Sequence, residues 1–119
     1  MDRKRFVDAF NEASDQIDRK RLRKVIKRSV DSNEDDKIRG QYNLIIVMEE
    51  LAELSQQTSK VARGRLADIY GMTEEMADVA IGLAYLQEIC DVSTLDLYKA
   101  MNVKLDRLER VLNEKGVYQ

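Results

Sequence analysis

Two stretches of this sequence decide its fold: Val47-Met48-Glu49-Glu50-Leu51-Ala52-Glu53-Leu54 and Thr73-Glu74-Glu75-Met76-Ala77-Asp78-Val79-Ala80. Both favour helices, because they are built from good helix formers and contain neither glycine nor proline. Each carries an acidic pair at i,i+3 spacing, Glu50 with Glu53 and Glu75 with Asp78, which places the two carboxylates on one helical face. Carboxylates set among apolar residues are costly unless something pairs with them. A hard divalent cation such as Mg²⁺ is a natural partner, since it binds oxygen ligands.

The composition of the chain predicts an all-α protein. Its 119 residues fit a single domain, and they include no proline, only 5 glycines and 35% charged residues, a profile that suits long helices. We expect a four-helix-type bundle. A domain of this size buries only part of its surface and is marginally stable, so association with a second copy would help.

Apolar spacing and cap residues predict four helical stretches. They run from about residue 3 to 30 with a break near Ala13–Ser14, from about 37 to 63, from Thr73 as N-cap to about 90, and from about 94 to 115. Residues 65–72 are expected to connect the second helix to the third. Gly64 and Gly116 are expected as C-caps, and Ser93 as an N-cap. Residues 1–119 thus form one domain, with a basic helical segment over 1–31 and the acid-bearing helices over 37–115.

The absence of histidine removes several kinds of active site. Ser-His-Asp and Cys-His arrangements cannot be built, nor can the Glu-x-x-His motifs of di-iron bundles. With one cysteine and no histidine, a structural zinc site is implausible as well. The single Cys90 rules out an intramolecular disulfide, and it follows Leu86 and Ile89, so we expect it to be a buried thiol. The kind of site that remains possible is one built from oxygen ligands.

The charge of the chain is unevenly distributed. The net charge is −2, but residues 1–31 carry +4 and residues 32–119 carry −6, and the acidic pairs lie in the second part. No apolar run reaches the ~20 residues that span a bilayer, and no signal-peptide pattern opens the chain. We therefore expect a cytoplasmic protein with no membrane partner.

Spacing alone leaves two interpretations of the acidic pairs open. They form either a metal site or a solvated acidic face, because a single Glu-x-x-Glu is common on exposed helices. Four carboxylates around one small volume would repel unless some were protonated or a cation neutralised them. Mg²⁺ usually binds through a few carboxylates together with substrate phosphates, so a metal site here predicts a phosphate-bearing substrate.

The order and spacing of these acids resemble the signature of the MazG-like all-α nucleoside-triphosphate pyrophosphohydrolases. That family shows Glu-Glu-x-x-Glu followed by Glu-x-x-Asp, which Glu49, Glu50 and Glu53 and then, after 21 further residues, Glu75 and Asp78 match. The stretch Lys104-Leu105-Asp106-Arg107-Leu108 is also similar to a Lys-Leu-x-Arg-Leu segment on the last helix of phage-type, single-domain members. The resemblance covers roughly residues 38–115.

The resemblance implies an activity and a set of ligands. The family hydrolyses nucleoside triphosphates, often deoxy or non-standard ones, to a monophosphate and pyrophosphate, as nucleotide-pool housekeeping. It requires Mg²⁺, with Mn²⁺ as a substitute, and it works as a helical homodimer or homotetramer with sites near the subunit contacts. By position, Glu50, Glu53, Glu75 and Asp78 would be the metal ligands. Glu50 and Glu53 would be catalytic, with Glu53 orienting or deprotonating the attacking water, and Glu49 would either support the ligands or remain solvated.

Cations and aromatic rings could bind the rest of a nucleotide. Lys60 lies two helical turns after Glu53 and is either a phosphate ligand or a cation that favours the helix C-terminus. On the last helix, Asn102 is a candidate for base or ribose, and Lys104 and Arg107 for phosphates, with a solvated charged face as the alternative. Three tyrosines could stack on a base, although packing is the simpler role for each: Tyr42, Tyr70 and Tyr85.

The segment 19–28 supports a second hypothesis, because it holds seven cations in ten residues. Leu22, Val25 and Ile26 give it an apolar side, which predicts a docked helix with a basic outer face. The cations could be solvated or paired within the protein, could steer triphosphates, or could bind nucleic-acid phosphates. The rival to an enzyme is thus a helical nucleic-acid-binding or assembly module without catalysis.

Overall fold

The described part of the chain is entirely helical. The structure, a computed structural model, describes residues 2–65 and 68–117. It contains α1 (Arg3–Glu12), α2 (Arg19–Asp31), α3 (Gln41–Ala62), α4 (Ile69–Cys90) and α5 (Thr94–Glu114). The predicted all-α class is confirmed for these residues, with five helices where the sequence indicated four stretches.

The extra helix arises because the first predicted stretch is divided. α1 ends at Glu12, near the expected break, and α2 begins only after Asp18, whose side chain accepts a hydrogen bond from the Arg21 N–H. Between the two helices, the Ser14 hydroxyl accepts a hydrogen bond from the Gln16 N–H. Such local bonds offer the backbone an alternative to helix, and they keep the break open over several residues.

α3 begins four residues later than predicted because Gly40 interrupts the helix. Gly40 has φ +83°, in the left-handed region that glycine tolerates best. It lies directly against the side chain of Ile89 on α4, where a Cβ atom would collide. Asp36 accepts a hydrogen bond from the Tyr42 N–H at 3.1 Å, and this satisfies a free donor of the new helix start.

The N-cap predicted at Thr73 is wrong. α4 begins at Ile69 with Asp68 as N-cap, so Thr73 lies inside the helix. An ion pair of 2.9 Å joins Asp68 to Arg3 on α1. The start of α4 is therefore stabilised by a residue from a distant part of the chain. Within the predicted connector, Leu66 and Ala67 lie outside the described residues.

The N-cap predicted for the last helix is confirmed. Ser93 caps α5, since its hydroxyl accepts a hydrogen bond from the Asp96 N–H at 3.0 Å. The C-caps of α3 and α5 are Arg63 and Lys115, and the predicted Gly64 and Gly116 follow one residue later with φ values of +81° and +75°. The turn between α4 and α5 uses Asp91 at φ +57°, the one non-glycine residue of the described chain in that region.

The core lies where α2, α3 and α4 meet. Its buried apolar side chains are Ile26, Val30 and Val47. Gly82 on α4 lies beside Val47, and a Cβ atom there would make ordinary van der Waals contact with Val47 Cγ1 at 3.4 Å.

A buried polar network ties the same three helices together. Ser29 Oγ accepts hydrogen bonds from Tyr85 Oη at 2.8 Å and from Asn43 Nδ2 at 3.3 Å. Asn33 Nδ2 donates to Asn43 Oδ1 at 3.1 Å. Since Asn43 is buried, these partners offset the cost of removing its amide from water.

Many apolar side chains are exposed in a single chain. Met76 and Leu83 on α4 are 58% and 48% exposed, and Cys90, predicted to be buried, is exposed. α5 touches the other helices near its start, through Gln87 to Thr94 and Arg19 to Tyr98, and every described residue from Lys99 onward is exposed. Large exposed apolar patches are typical of surfaces that pack against another molecule. None of the described helices has a segment long and apolar enough to cross a bilayer.

Candidate metal centre

The carboxylates are brought together by the register of α3 against α4. Gly40 meets Ile89, and further along α3 Val47 meets Gly82. Residue numbers rise along α3 as they fall along α4, so the two helices are antiparallel. The same register continues to Glu50, which lies beside Asp78. Two acidic pairs on antiparallel helices therefore face each other across the interface.

Three of the four predicted ligands form a compact group, the carboxylate cluster of Glu50, Glu75 and Asp78. One oxygen from each residue lies within 4.8 Å of the other two. Glu53 is exposed and stands outside this group, but it lies close enough to Glu75 to raise the pKa of that carboxyl group. The structure thus assembles the predicted quartet as three converging acids with Glu53 at their edge.

Two oxygens of the cluster are buried without a partner. Glu50 Oε2 and Glu75 Oε2 accept no hydrogen bond from the described part of the chain. Buried polar atoms are nearly always hydrogen-bonded, so each such exception requires an explanation. A solvated acidic face does not explain these two oxygens, because solvent does not reach them.

The cluster holds its protons unusually tightly. Burial, reinforced by the charges of Asp78 and Glu53, raises the pKa of Glu50 to about 7. Burial also raises the pKa of Glu75, with Glu53 and Asp78 adding to the effect. The pKa of Asp78 is raised by burial, although a hydrogen bond with Glu50 acts in the opposite direction. Without a counter-charge, Glu50 is therefore partly protonated near neutral pH.

The residues present fit a hard divalent cation. The donor set is entirely carboxylate oxygen, which is the chemistry that Mg²⁺ and Mn²⁺ accept. Two orphaned oxygens point to a missing positive partner, and a divalent charge would remove the repulsion that raises the pKa values. Glu50, Glu75 and Asp78 would hold such an ion directly.

Sequence reasoning missed the residues that flank the cluster on the α1 side. Arg3 Nη1 lies 3.3 Å from Glu74 Oε2, and the charge of Glu74 raises the pKa values of both Glu75 and Asp78. Phe10 packs edge-on against Tyr70 with ring centroids 5.6 Å apart, which anchors α1 beside the start of α4. The i,i+4 spacing of Glu74 and Asp78 could have indicated from the sequence that these two acids lie close together. No sequence pattern indicated the contact of this region with α1.

The cations proposed for phosphates are not gathered around the cluster. Lys60 is exposed, about 10 Å along α3 from Glu53. Asn102, Lys104 and Arg107 lie on the exposed part of α5, and the described structure gives them neither an ion pair nor a hydrogen bond with the carboxylate cluster. Glu49 is exposed and does not belong to the cluster either.

The tyrosines divide between packing and exposure. Tyr85 donates to Ser29 inside the polar network, and Tyr70 packs on Phe10, so both have structural roles. Tyr42 is 54% exposed and is the one candidate left free to stack on a ligand.

Comparisons of this chain with protein-family models, with curated proteins and with solved structures find no match. The similarity to MazG-like proteins therefore stays a prediction, which depends on Glu50, Glu53, Glu75 and Asp78. The function has to be argued from the geometry of these residues.

Proposed function

We propose that this chain is a Mg²⁺-dependent nucleoside-triphosphate pyrophosphohydrolase. The reaction is hydrolysis of a ribo- or deoxyribonucleoside triphosphate to its monophosphate and pyrophosphate, and Mn²⁺ would replace Mg²⁺. The observation that carries the proposal is the carboxylate cluster with its two buried, unpartnered oxygens. A purely structural acidic face would not keep one oxygen of each of two like-charged groups out of water.

The chain's own residues divide the chemical work between the two helices. Glu50 from α3 and Glu75 and Asp78 from α4 would hold the ion, which supplies positive charge for phosphate oxygens and lowers the pKa of water. Glu53 lies exposed beside Glu75, where a substrate and a water molecule can reach it. It would orient the attacking water and accept its proton, while Glu50 remains a ligand that must lose its own proton before it binds the ion.

A second copy of the chain would complete the site. The apolar stripe of α5 is unburied in one chain, with Met101, Leu105 and Leu108 each at least half exposed. Met48 and Met76 on α3 and α4 are exposed as well, at 68% and 58%. Packing these surfaces together in a homodimer or homotetramer would finish the helical bundle. It would also let Lys104 and Arg107 of one protomer approach the carboxylates of the other.

Turnover of a substrate panel tests this proposal. Ribo- and deoxyribonucleoside triphosphates are incubated with the protein and Mg²⁺, with EDTA in parallel, and the products are separated. The proposal expects EDTA-sensitive monophosphate and pyrophosphate from at least one substrate, lost in Asp78→Asn. The matched control is Glu109→Gln on exposed α5, which removes the same charge and should keep full activity.

Three results would contradict this proposal. If no triphosphate is hydrolysed in the presence of Mg²⁺, or if Asp78→Asn keeps its turnover, the proposal fails. Release of orthophosphate with a diphosphate would indicate a different bond and would also contradict it.

A further inference from the structure

The outer face of α2 carries a band of cations that the carboxylate site does not use. Five of them, the cationic stripe, lie on an arc of the helix that excludes its buried residues Ile26 and Val30: Lys20, Arg21, Lys24, Lys27 and Arg28. All five are exposed, and from the first to the last they span nine residues, or about 12 Å along the helix axis.

The stripe is not neutralised from within the protein. Among the described residues, Lys27 alone of the five has an acidic partner, Asp31 at 2.8 Å, and Asp31 also binds Arg39. Pairing within the chain, which the sequence allowed, therefore accounts for one of the five cations. Arg19, which is outside the stripe, makes a cation–π contact with the ring of Tyr98 and donates a hydrogen bond to its hydroxyl group.

This arrangement works against the stability of α2. Lys20 with Lys24, and Lys24 with Arg28, are like charges at i,i+4 spacing, which destabilise a helix. The first turn consists of Arg19, Lys20 and Arg21, whose positive charges oppose the helix dipole, although the N-cap Asp18 places one negative charge at that end. Charges placed where they oppose their own helix are explained by an anionic partner outside the chain.

We propose that the cationic stripe of α2 binds the phosphate backbone of nucleic acid, independently of sequence. Duplex DNA carries one negative charge per roughly 1.7 Å, so about seven phosphates lie along the length of the stripe. An anionic membrane fits less well, because an interfacial helix inserts its apolar side, and Ile26 and Val30 on the apolar side of α2 are buried, which leaves Val25 at 53% exposure. This surface is independent of the carboxylate cluster and of the proposed hydrolysis.

Salt-dependent DNA binding by the full-length protein tests the proposal. A short fluorescein-labelled duplex is titrated with protein over a series of salt concentrations, and anisotropy gives the affinity. We expect log affinity to fall linearly with log salt, with a slope of about −4 for four to five phosphate contacts. Two duplexes of unrelated sequence should give the same slope.

Charge-matched variants show whether the stripe is responsible. The triple variant Arg21→Gln, Lys24→Gln, Arg28→Gln should reduce the steepness of the slope by about 3 and weaken binding at least tenfold at about 0.1 M salt. The control Lys99→Gln, Arg110→Gln, Lys115→Gln removes three exposed cations from α5 and its end, and it should bind like the wild type. Glu50→Gln should also bind normally, which separates this surface from the metal centre.

Several results would overturn the proposal. They are absence of DNA binding by the wild type at low salt, an equal loss in stripe and control variants, or binding to phosphatidylserine vesicles without binding to DNA. Circular dichroism checks that the triple variant is folded, and removal of like charges should leave its melting temperature unchanged or higher. The single variant Lys24→Gln, at the centre of the stripe, should reduce the slope by about 1.

Discussion

Glu50 on α3 and Asp78 on α4 face each other across an antiparallel helix pair, with one carboxylate oxygen of each within 4.8 Å of the other, and burial raises the pKa of both groups. A proton on Glu50, whose pKa is raised to about 7, lessens the repulsion between the two carboxyl groups. A divalent ion would displace this proton and bind both oxygens. On this proposal, the junction of two helices supplies the oxygen ligands of a metal site in a chain without histidine.

Neutral substitutions in the cluster should abolish metal binding without unfolding the protein. Glu50→Gln resembles the protonated residue, so it removes a buried charge and should raise the melting temperature in EDTA by a few degrees. Mg²⁺ should stabilise the wild type by about 2.7 kcal/mol at a hundredfold excess over Kd, and this gain should vanish in the variant. Thermal unfolding with and without Mg²⁺ measures both effects.

The control for that experiment is Glu109→Gln, which loses one exposed carboxylate from α5. It should retain the stabilisation by Mg²⁺ in full. If Glu50→Gln responded to Mg²⁺ as strongly as the wild type and the control do, the ion would be bound elsewhere.

The stability of the metal-free protein should depend on pH. Burial raises the pKa of Glu50 from its ordinary value of 4.5 to about 7 in the folded chain. Between these values the folded state holds a proton that the unfolded state has lost, so stability falls as the pH rises through this window. Glu75 and Asp78, whose pKa values are also raised, act in the same direction. Melting temperatures in EDTA from about pH 5 to about pH 8 measure the decline.

Two outcomes decide this prediction. Glu50→Gln should flatten the decline, because it cannot titrate, and saturating Mg²⁺ should flatten it in the wild type by holding Glu50 deprotonated. A decline that is equally steep in Glu50→Gln would show that other groups cause it.

The α3–α4 register should depend on Gly40. Both Gly40→Ala and Gly64→Ala place a side chain at positive φ, which costs about 1–2 kcal/mol. Only at Gly40 does the new Cβ also collide with Ile89, while Gly64 faces open space. Chemical denaturation should therefore show a larger loss for Gly40→Ala. Equal losses at the two positions would mean that Ile89 moves aside freely and does not define the register.

Self-association should require the apolar stripe of α5. Leu105 and Leu108 are 57% and 54% exposed, and replacing both by Lys should shift the protein to monomers in sedimentation experiments. Val103→Lys is the matched control, since Val103 is 65% exposed on the opposite side of the same helix. A monomeric wild type, or equal dissociation of the control, would contradict this role of α5.

The sequence was informative where the signal is local. The i,i+3 spacing of Glu50 with Glu53 and of Glu75 with Asp78 fixed the face of each helix, and the structure brings three of these acids together. The cap at Ser93 is equally local, because a hydroxyl and an N–H three residues away suffice.

The predictions that were wrong concern features that depend largely on contacts between distant segments of the chain. Thr73 is a good cap residue, but the ion pair of Arg3 with Asp68 and the packing of α1 favour an earlier helix start. The positive φ of Gly40 follows from Ile89, 49 positions later in the chain. Cys90 was expected to be buried because it follows Ile89, yet one residue turns a helix by about 100° and exposes the thiol.

The most direct test of the proposed activity is to identify which phosphate bond of the substrate is broken. Phosphorus NMR of a deoxyribonucleoside triphosphate mixed with the protein follows each phosphate as the reaction proceeds. We predict that, with Mg²⁺, the substrate signals are replaced by those of a monophosphate and pyrophosphate, and that EDTA prevents the change. If substrates of every base remain intact with Mg²⁺, or if they yield a diphosphate and orthophosphate, the carboxylate cluster does not perform this reaction.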